Sequence, residues 1–357
     1  MVKLEAGLRM KNETSNHGET QMQDQDFTRR RALLKQTLSQ GCALASAALS
    51  PMVFAQASWP SKQAVKIVCN FPPGGLTDSY ARAYAEFFSK KFGQSFMVEN
   101  RPGAGGLIGA DAVAKATADG YTFLITTSTP MWHAKVLYSK MPYQGERDFT
   151  PVSLFPSGAL IMGVPSSLGV KDVREFIELS RNKPSAYGTY GAGSWPHMVI
   201  QDLNDRAAAK LTPVHYRGET PMWVDASTGQ VQAAMGSFLG INNYLGKGSI
   251  RAIAAIGNLR CPKLPQLPTF LEQGFSAPVY GLEGWIPFVA PAATPQDIVI
   301  KMAEAIQEAS ETARMTAIRD AFAIPNKPTP LEESRKRWKE ESAVWIDIAA
   351  KLGIKLD

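Results

Sequence analysis

From residue 64 onward the chain alternates short apolar runs with stretches of helical spacing. "AVKIVCN" (64–70) is a continuous apolar run, which predicts a strand buried on both faces. Beyond it Tyr80, Ala81, Tyr84, Phe87 and Phe88 recur at the three- and four-residue spacing of a helix face, and Gly93 predicts the helix end. "SFMVEN" (95–100) reads as a strand, "GADAVAKATADG" (109–120) as a helix and "YTFLITTS" (121–128) as a strand. The alternation predicts further strands at 159–165, 185–191, 211–216, 230–236 and 250–257, with helices around 171–182, 197–209 and 220–228. The last third reads as helical at 295–312 and 331–351, with Gly353 closing the final helix. Strand–helix–strand order at this pitch predicts an α/β fold with parallel strands covered by helices. Two such units without a linker predict two lobes around a shared cleft, the usual place for a small ligand.

Composition changes this picture little. At 357 residues, 45% hydrophobic and 20% charged, the chain has material for about two domains with sizeable cores. The formal charge of +6 includes +2 from residues 1–57, and the remaining basic residues are scattered. No basic stripe with interleaved aromatics is present, so nucleic acid is excluded as the expected partner. The mild positive charge favours small anions instead.

The N-terminus reads as an address. A basic cluster at Arg29–Arg31 is followed by an apolar stretch and then by Ala55-Gln56-Ala57, the order of a cleaved export signal, with cleavage after Ala57. Arg30-Arg31-Ala32-Leu33-Leu34-Lys35 resembles a twin-arginine pattern, which implies export in the folded state and a periplasmic location. The apolar run is too short for the ~20 residues of a membrane span. Met22 is a possible alternative start. Of three cysteines, Cys42 falls in this segment; Cys69 and Cys261 remain, either as a disulfide or as buried small hydrophobes. No metal-ligand spacing occurs, and no cofactor is expected.

Three glycine-rich turns carry the candidate chemistry. "PPGGLTD" joins the first strand to the first helix; Gly74 and Gly75 let backbone N–H groups approach a ligand, and the helix N-terminus attracts a carboxylate or phosphate. The competing reading is a plain turn with Thr77 or Asp78 capping the helix. The second turn, Gly103-x-Gly105-x-x-x-Gly109, is similar to a dinucleotide fingerprint and leaves open a nicotinamide-dependent oxidoreductase. Its spacing is off, however, and the strand that should end in an acid reads Thr126-Thr127-Ser128-Thr129. In the third, "TYGAGSWPHMV" (189–199), Ser194 and His197 leave open a hydrolase, although capping by Ser194 with Pro196 early in the helix fits the spacing better.

"VKIVCNFPPGGLTDSYAR", "ENRPGAGGLIGADAVAKATADGYTFL", "YGAGSWPH" and "VHYRGETPMWVDASTGQV", with "RAIAAIGNLRCPKLPQLPTFLEQGF" and "PFVAPAATP", together resemble the Bug receptors over about residues 62–357. These are the extracytoplasmic solute-binding proteins of tripartite tricarboxylate transporters. The resemblance implies a periplasmic-binding-protein type II-like flytrap without catalytic residues, a monomer that passes a small organic carboxylate to membrane permease subunits or to a sensor. It implies lobes of 58–157 plus 284–357 and of 158–283, hinged near Phe155 and Trp285. It also implies a ligand site on two loops: Phe71, Pro72, Gly74, Gly75, Thr77 and Asp78 from one lobe, and Gly191, Gly193, Ser194, Trp195 and His197 from the other. Thr127, Ser128, Tyr216, Gly218 and Gly236 complete it. Gln232 and Gly236 stand where the family carries an acid, which implies a pocket that has lost a carboxylate and a ligand without an amino group, aromatic if Trp195 turns inward. The block Tyr143–Phe149 departs from the family pattern in a way expected to be structural.

Overall fold

The computed structural model describes residues 59–356; the expected export segment lies outside them. Ten strands form two five-stranded sheets. The first holds β1 (Val65–Cys69), β2 (Phe96–Asn100), β3 (Thr122–Ile125), β4 (Phe149–Pro156) and β10 (Trp285–Pro291) in the order β2-β1-β3-β10-β4. The second holds β5 (Leu160–Pro165), β6 (Ser185–Thr189), β7 (Leu211–His215), β8 (Ala233–Ser237) and β9 (Ile250–Ala255) in the order β7-β6-β8-β5-β9. Both follow one plan. In each, a first strand runs parallel to its two neighbours, β1 to β2 and β3, β6 to β7 and β8. In each, a strand entered directly from the other half then lies antiparallel, β10 against β3 and β4, β5 against β8 and β9.

β4 and β10 are strands that periodicity does not announce. Each carries two prolines and is almost wholly buried, so neither alternates. They pair with each other over their whole length. Proline in an apolar run argues against a strand when read locally; here the pairing overrides it. Just beyond this pair the chain crosses between the sheets. Ser157 N–H donates to Gly284 O at 2.9 Å, and a Cβ on Gly284 would press on the Ser157 hydroxyl and on the Trp195 ring.

The helix after β1, α1 (Leu76–Phe92), follows the apolar spacing seen in the sequence and ends on left-handed Gly93 (φ 63°). Its inner face presents Tyr80, Tyr84 and Phe88, all fully buried. Tyr84 stacks on Phe155 of β4 at 4.9 Å and Phe88 meets Phe288 of β10 at 6.4 Å, so the helix is tied to the two crossing strands. The helix after the second turn, α2 (Leu107–Ala114), starts against β1: Asn70 Nδ2 donates to Gly106 O at 2.7 Å. A Cβ on Gly109 would lie 2.6 Å from that of Asn70. The glycines of this turn permit close packing of backbone on backbone. That is a structural reason for the pattern that resembled a dinucleotide fingerprint.

The remaining helices are α3 (Ala134–Leu137), which continues a π-helical turn at Thr129–His133, α4 (Gly145–Asp148), α5 (Val173–Asn182), α6 (Trp195–Ala207), α7 (Glu219–Thr228), α8 (Phe238–Gly246), α9 (Gln296–Ser310), α10 (Ala313–Ala321) and α11 (Leu331–Lys351). The expected 295–312 helix is thus followed by a second one, begun by Thr312, whose hydroxyl accepts from Met315 N–H. Trp345 of α11 sits between His133 of the π-turn and Trp195 of α6, at ring distances of 4.6 and 5.3 Å. No helix among the described residues is long and apolar enough to cross a membrane. Cys69 and Cys261 are both free and buried.

Candidate functional site

A cleft of about 510 Å³ opens where the loops of the two sheets face each other. Its first wall is the arch between β1 and α1. Gly74 adopts φ 95°, a conformation that needs glycine, and a Cβ on Gly74 or Gly75 would meet only open space. Gly75 occupies the N-cap and no side chain caps α1, so the first-turn N–H groups are left to the cleft. Thr77 and Asp78 do not cap. Asp78 instead turns back on the arch: Oδ2 accepts from Gly74 N–H at 3.0 Å and Arg82 Nε at 2.9 Å, while Oδ1 accepts from Asn100 Nδ2 at 2.9 Å. Burial would raise its pKa, but these donors outweigh it and hold the carboxyl below its ordinary value. Its oxygens are committed to shaping the arch.

Ten of the residues expected from the sequence line the cleft: Phe71, Pro72, Gly74, Gly75, Thr77, Asp78, Thr127, Ser128, Trp195 and Gly218. Gly191, Gly193, Ser194, His197, Tyr216 and Gly236 do not. The second glycine loop is drawn back against the π-turn, where Gly193 O accepts from His133 Nδ1 at 3.3 Å and Thr129 Oγ1 at 3.4 Å. Gly193 N–H donates to His197 Nδ1 at 3.0 Å. Two histidines of opposite tautomer therefore hold one glycine. Burial depresses both, His133 to about 3 and His197 to about 4, the latter helped by neighbouring His215.

Ser194 stands at the N-cap of α6, yet its hydroxyl caps nothing and has no hydrogen-bond partner. The His197 nitrogen nearest its own backbone is already occupied by Gly193, so serine and histidine do not form a dyad. Tyr216 turns to Asp225, donating to Oδ2 at 2.7 Å. Trp195 is wall: its indole N–H donates to Val279 O at 2.7 Å and its ring packs beside Gly284 at the crossing.

Arg217, within the expected Tyr216–Gly218 block, lines the cleft as well, and so do Ser157, Tyr190, Glu219, Trp223, Ser237, Asn243 and Trp285, which the sequence reading did not single out as ligand contacts. Arg217 is exposed and enters no ion pair with the described residues, a cation free for an anionic ligand. Glu219 corrects the expectation of a lost acid. A Cβ built on Gly236 would come within 2.9 Å of Glu219 Oε2, so the space opposite the missing side chain is filled by a carboxylate from α7. A glutamate in a first helical turn reads as an ordinary partner of the helix dipole, which is why sequence alone does not single it out.

Comparison with known proteins decides the family. The model of the tripartite tricarboxylate transporter family receptors matches residues 80–336. The chain belongs to that receptor family. It is 30% identical over 323 residues to protein BugT of Bordetella pertussis, covering 88% of this chain and 97% of that one. A Pseudomonas sp. (strain P51) relative, encoded between tcbD and tcbE, is 32% identical, covering 84% and 91% of the two chains. Among solved structures, R. palustris Rpa4515 with adipate superposes with a TM-score of 0.75 at 32% identity over 84% of this receptor and 100% of that chain. MatC from Rhodopseudomonas palustris with bound malate gives 0.72 at 26% identity over 81% and 99%. The fold of the receptor is thus that of the periplasmic binding proteins, two α/β lobes facing across a cleft.

Proposed function

We propose that this receptor captures a small organic carboxylate outside the cytoplasm and passes it to the membrane subunits of a tripartite transporter, without chemistry on the ligand. The observation that carries the reading is the uncapped start of α1 facing a cleft of about 510 Å³ together with the unpaired Arg217. An N-terminal turn favours an anion by up to about 1 kcal/mol, and a guanidinium adds a charge-assisted pair. The relatives solved with adipate and malate support a carboxylate. In this reading the lobes are 58–157 with 284–357 and 158–283, and they close about the crossings near Phe155 and Trp285. Residues 1–57 are removed on export by the twin-arginine route.

Calorimetry against a panel of organic acids tests the reading. Binding of at least one of them is expected, weakened on the order of tenfold or more in Arg217→Ala. A folded protein that binds none, or ester hydrolysis lost in Ser194→Ala, speaks against it. N-terminal sequencing of exported protein should begin at Ser58, and Lys-Lys in place of Arg30-Arg31 should block export; finding Met1 on the exported chain contradicts cleavage.

A further inference from the structure

A cleft suited to anions has no evident use for a second carboxylate, yet Glu219 lines it. The side chain is firmly held. Ser237 N–H donates to Oε1 at 3.1 Å and Oε2 at 3.0 Å. The Ser237 hydroxyl accepts from Gly240 N–H at 3.2 Å, and so donates its own proton to Oε2, at 2.7 Å. Ser237 is also the N-cap of α8, whose positive end faces the carboxylate. The fully buried indole N–H of Trp223, with no hydrogen bond of its own, lies beside the same oxygen and favours the charged form. Every neighbour is a donor. That is a bed for an ionised carboxylate.

What the bed lacks is a positive charge. Glu219 enters no ion pair with the described residues, while burial works against its charged form and raises its pKa. An enclosed carboxylate without a counter-charge is costly unless a partner supplies one. Glu219 is half-buried and lines the cleft. We propose that Glu219 is a specificity-determining residue that receives a protonated nitrogen of the ligand, whose carboxylate rests against the uncapped start of α1 on the facing wall. This rests on the receptor reading and reverses the ligand expected from the sequence. A dicarboxylate would instead set carboxylate against carboxylate and need a shared proton.

The experiment is calorimetry of the purified receptor with matched acids: succinate and 3-aminopropanoate, glutarate and 4-aminobutyrate, glutarate and glutamate, with adipate and malate alongside. The wild type is expected to prefer the nitrogen-bearing member by on the order of tenfold or more, and Glu219→Gln to lose that preference, binding the nitrogen-bearing acids less tightly and the plain diacids more tightly than the wild type does. Ser237→Ala keeps the carboxylate and removes one donor, so it should reduce the preference less, and it carries the test if Glu219→Gln misfolds. Preference for plain dicarboxylates, or equal binding of the nitrogen-bearing acids by Glu219→Gln, overturns the proposal and leaves the receptor reading standing. Failure of the folded wild type to bind any member removes both.

Discussion

Asp78 joins three parts of the first arch with one carboxylate: the Gly74 backbone, Arg82 one turn along α1, and Asn100 at the end of β2. Removing it leaves the Gly74 N–H and Arg82 Nε without their acceptor and the Asn100 amide donating only to Phe71 O, at 3.1 Å. Asp78→Ala should therefore cost about 2 kcal/mol in denaturant unfolding, and ligand affinity should fall with it, although Asp78 need not touch the ligand. Unchanged stability would show that the arch holds without it. The histidines make a second test. His133 and His197 sit at about 3 and about 4, against an ordinary value of 6.5, so the unfolded chain binds protons that the folded one refuses. The stability they contribute is complete above about pH 6.5 and is lost as pH falls toward 4. A fall in Tm of about 5 °C or more between pH 7 and 5 is expected, and His133→Phe should flatten it; the same slope in that variant would contradict the assignment. At this scale the first arch was legible because proline, glycine and acid lie together in the chain. The recession of Gly191–His197 was not, since it depends on His133, some sixty residues away.

Among the elements, α1 was readable from its spacing, and its packing follows from it. Phe88 lies 5.6 Å from Tyr84, 5.3 Å from Phe96 and 6.4 Å from Phe288, so one ring joins helix, neighbouring strand and crossing strand. Phe88→Ala should destabilise the protein by about 3–5 kcal/mol, as truncation of a fully enclosed ring does; a loss under about 1 kcal/mol in denaturant unfolding would mean that the region relaxes around the gap. β4 and β10 were not readable, because their four prolines mask a pairing made across more than a hundred residues. α8 escaped for a related reason: "FLGINNYLG" carries two glycines and two asparagines, and the Ser237 hydroxyl, accepting from Gly240 N–H, is what starts it.

Across the whole molecule, the two sheets repeat one strand order and share a core. Leu124 and Leu154 of the first sheet and Tyr187 and Met235 of the second belong to a single apolar cluster. The two cysteines fall on opposite sides of this arrangement, Cys69 at the end of β1 and Cys261 in the core of the second sheet. Burial pushes the Cys69 thiol up to about 11 and raises Cys261 as well, so neither offers much thiolate while the protein is folded. The thiolate is the species that alkylates. Each thiol is therefore a clock that starts only when its own half opens. Iodoacetamide labelling in rising denaturant, followed peptide by peptide in a mass spectrometer, reads the two clocks separately in one tube. Because the cluster is shared, both should start at the same denaturant concentration, and a bound ligand should delay both alike. If Cys261 is labelled well before Cys69, the halves open independently, and the common core couples them less than its extent implies.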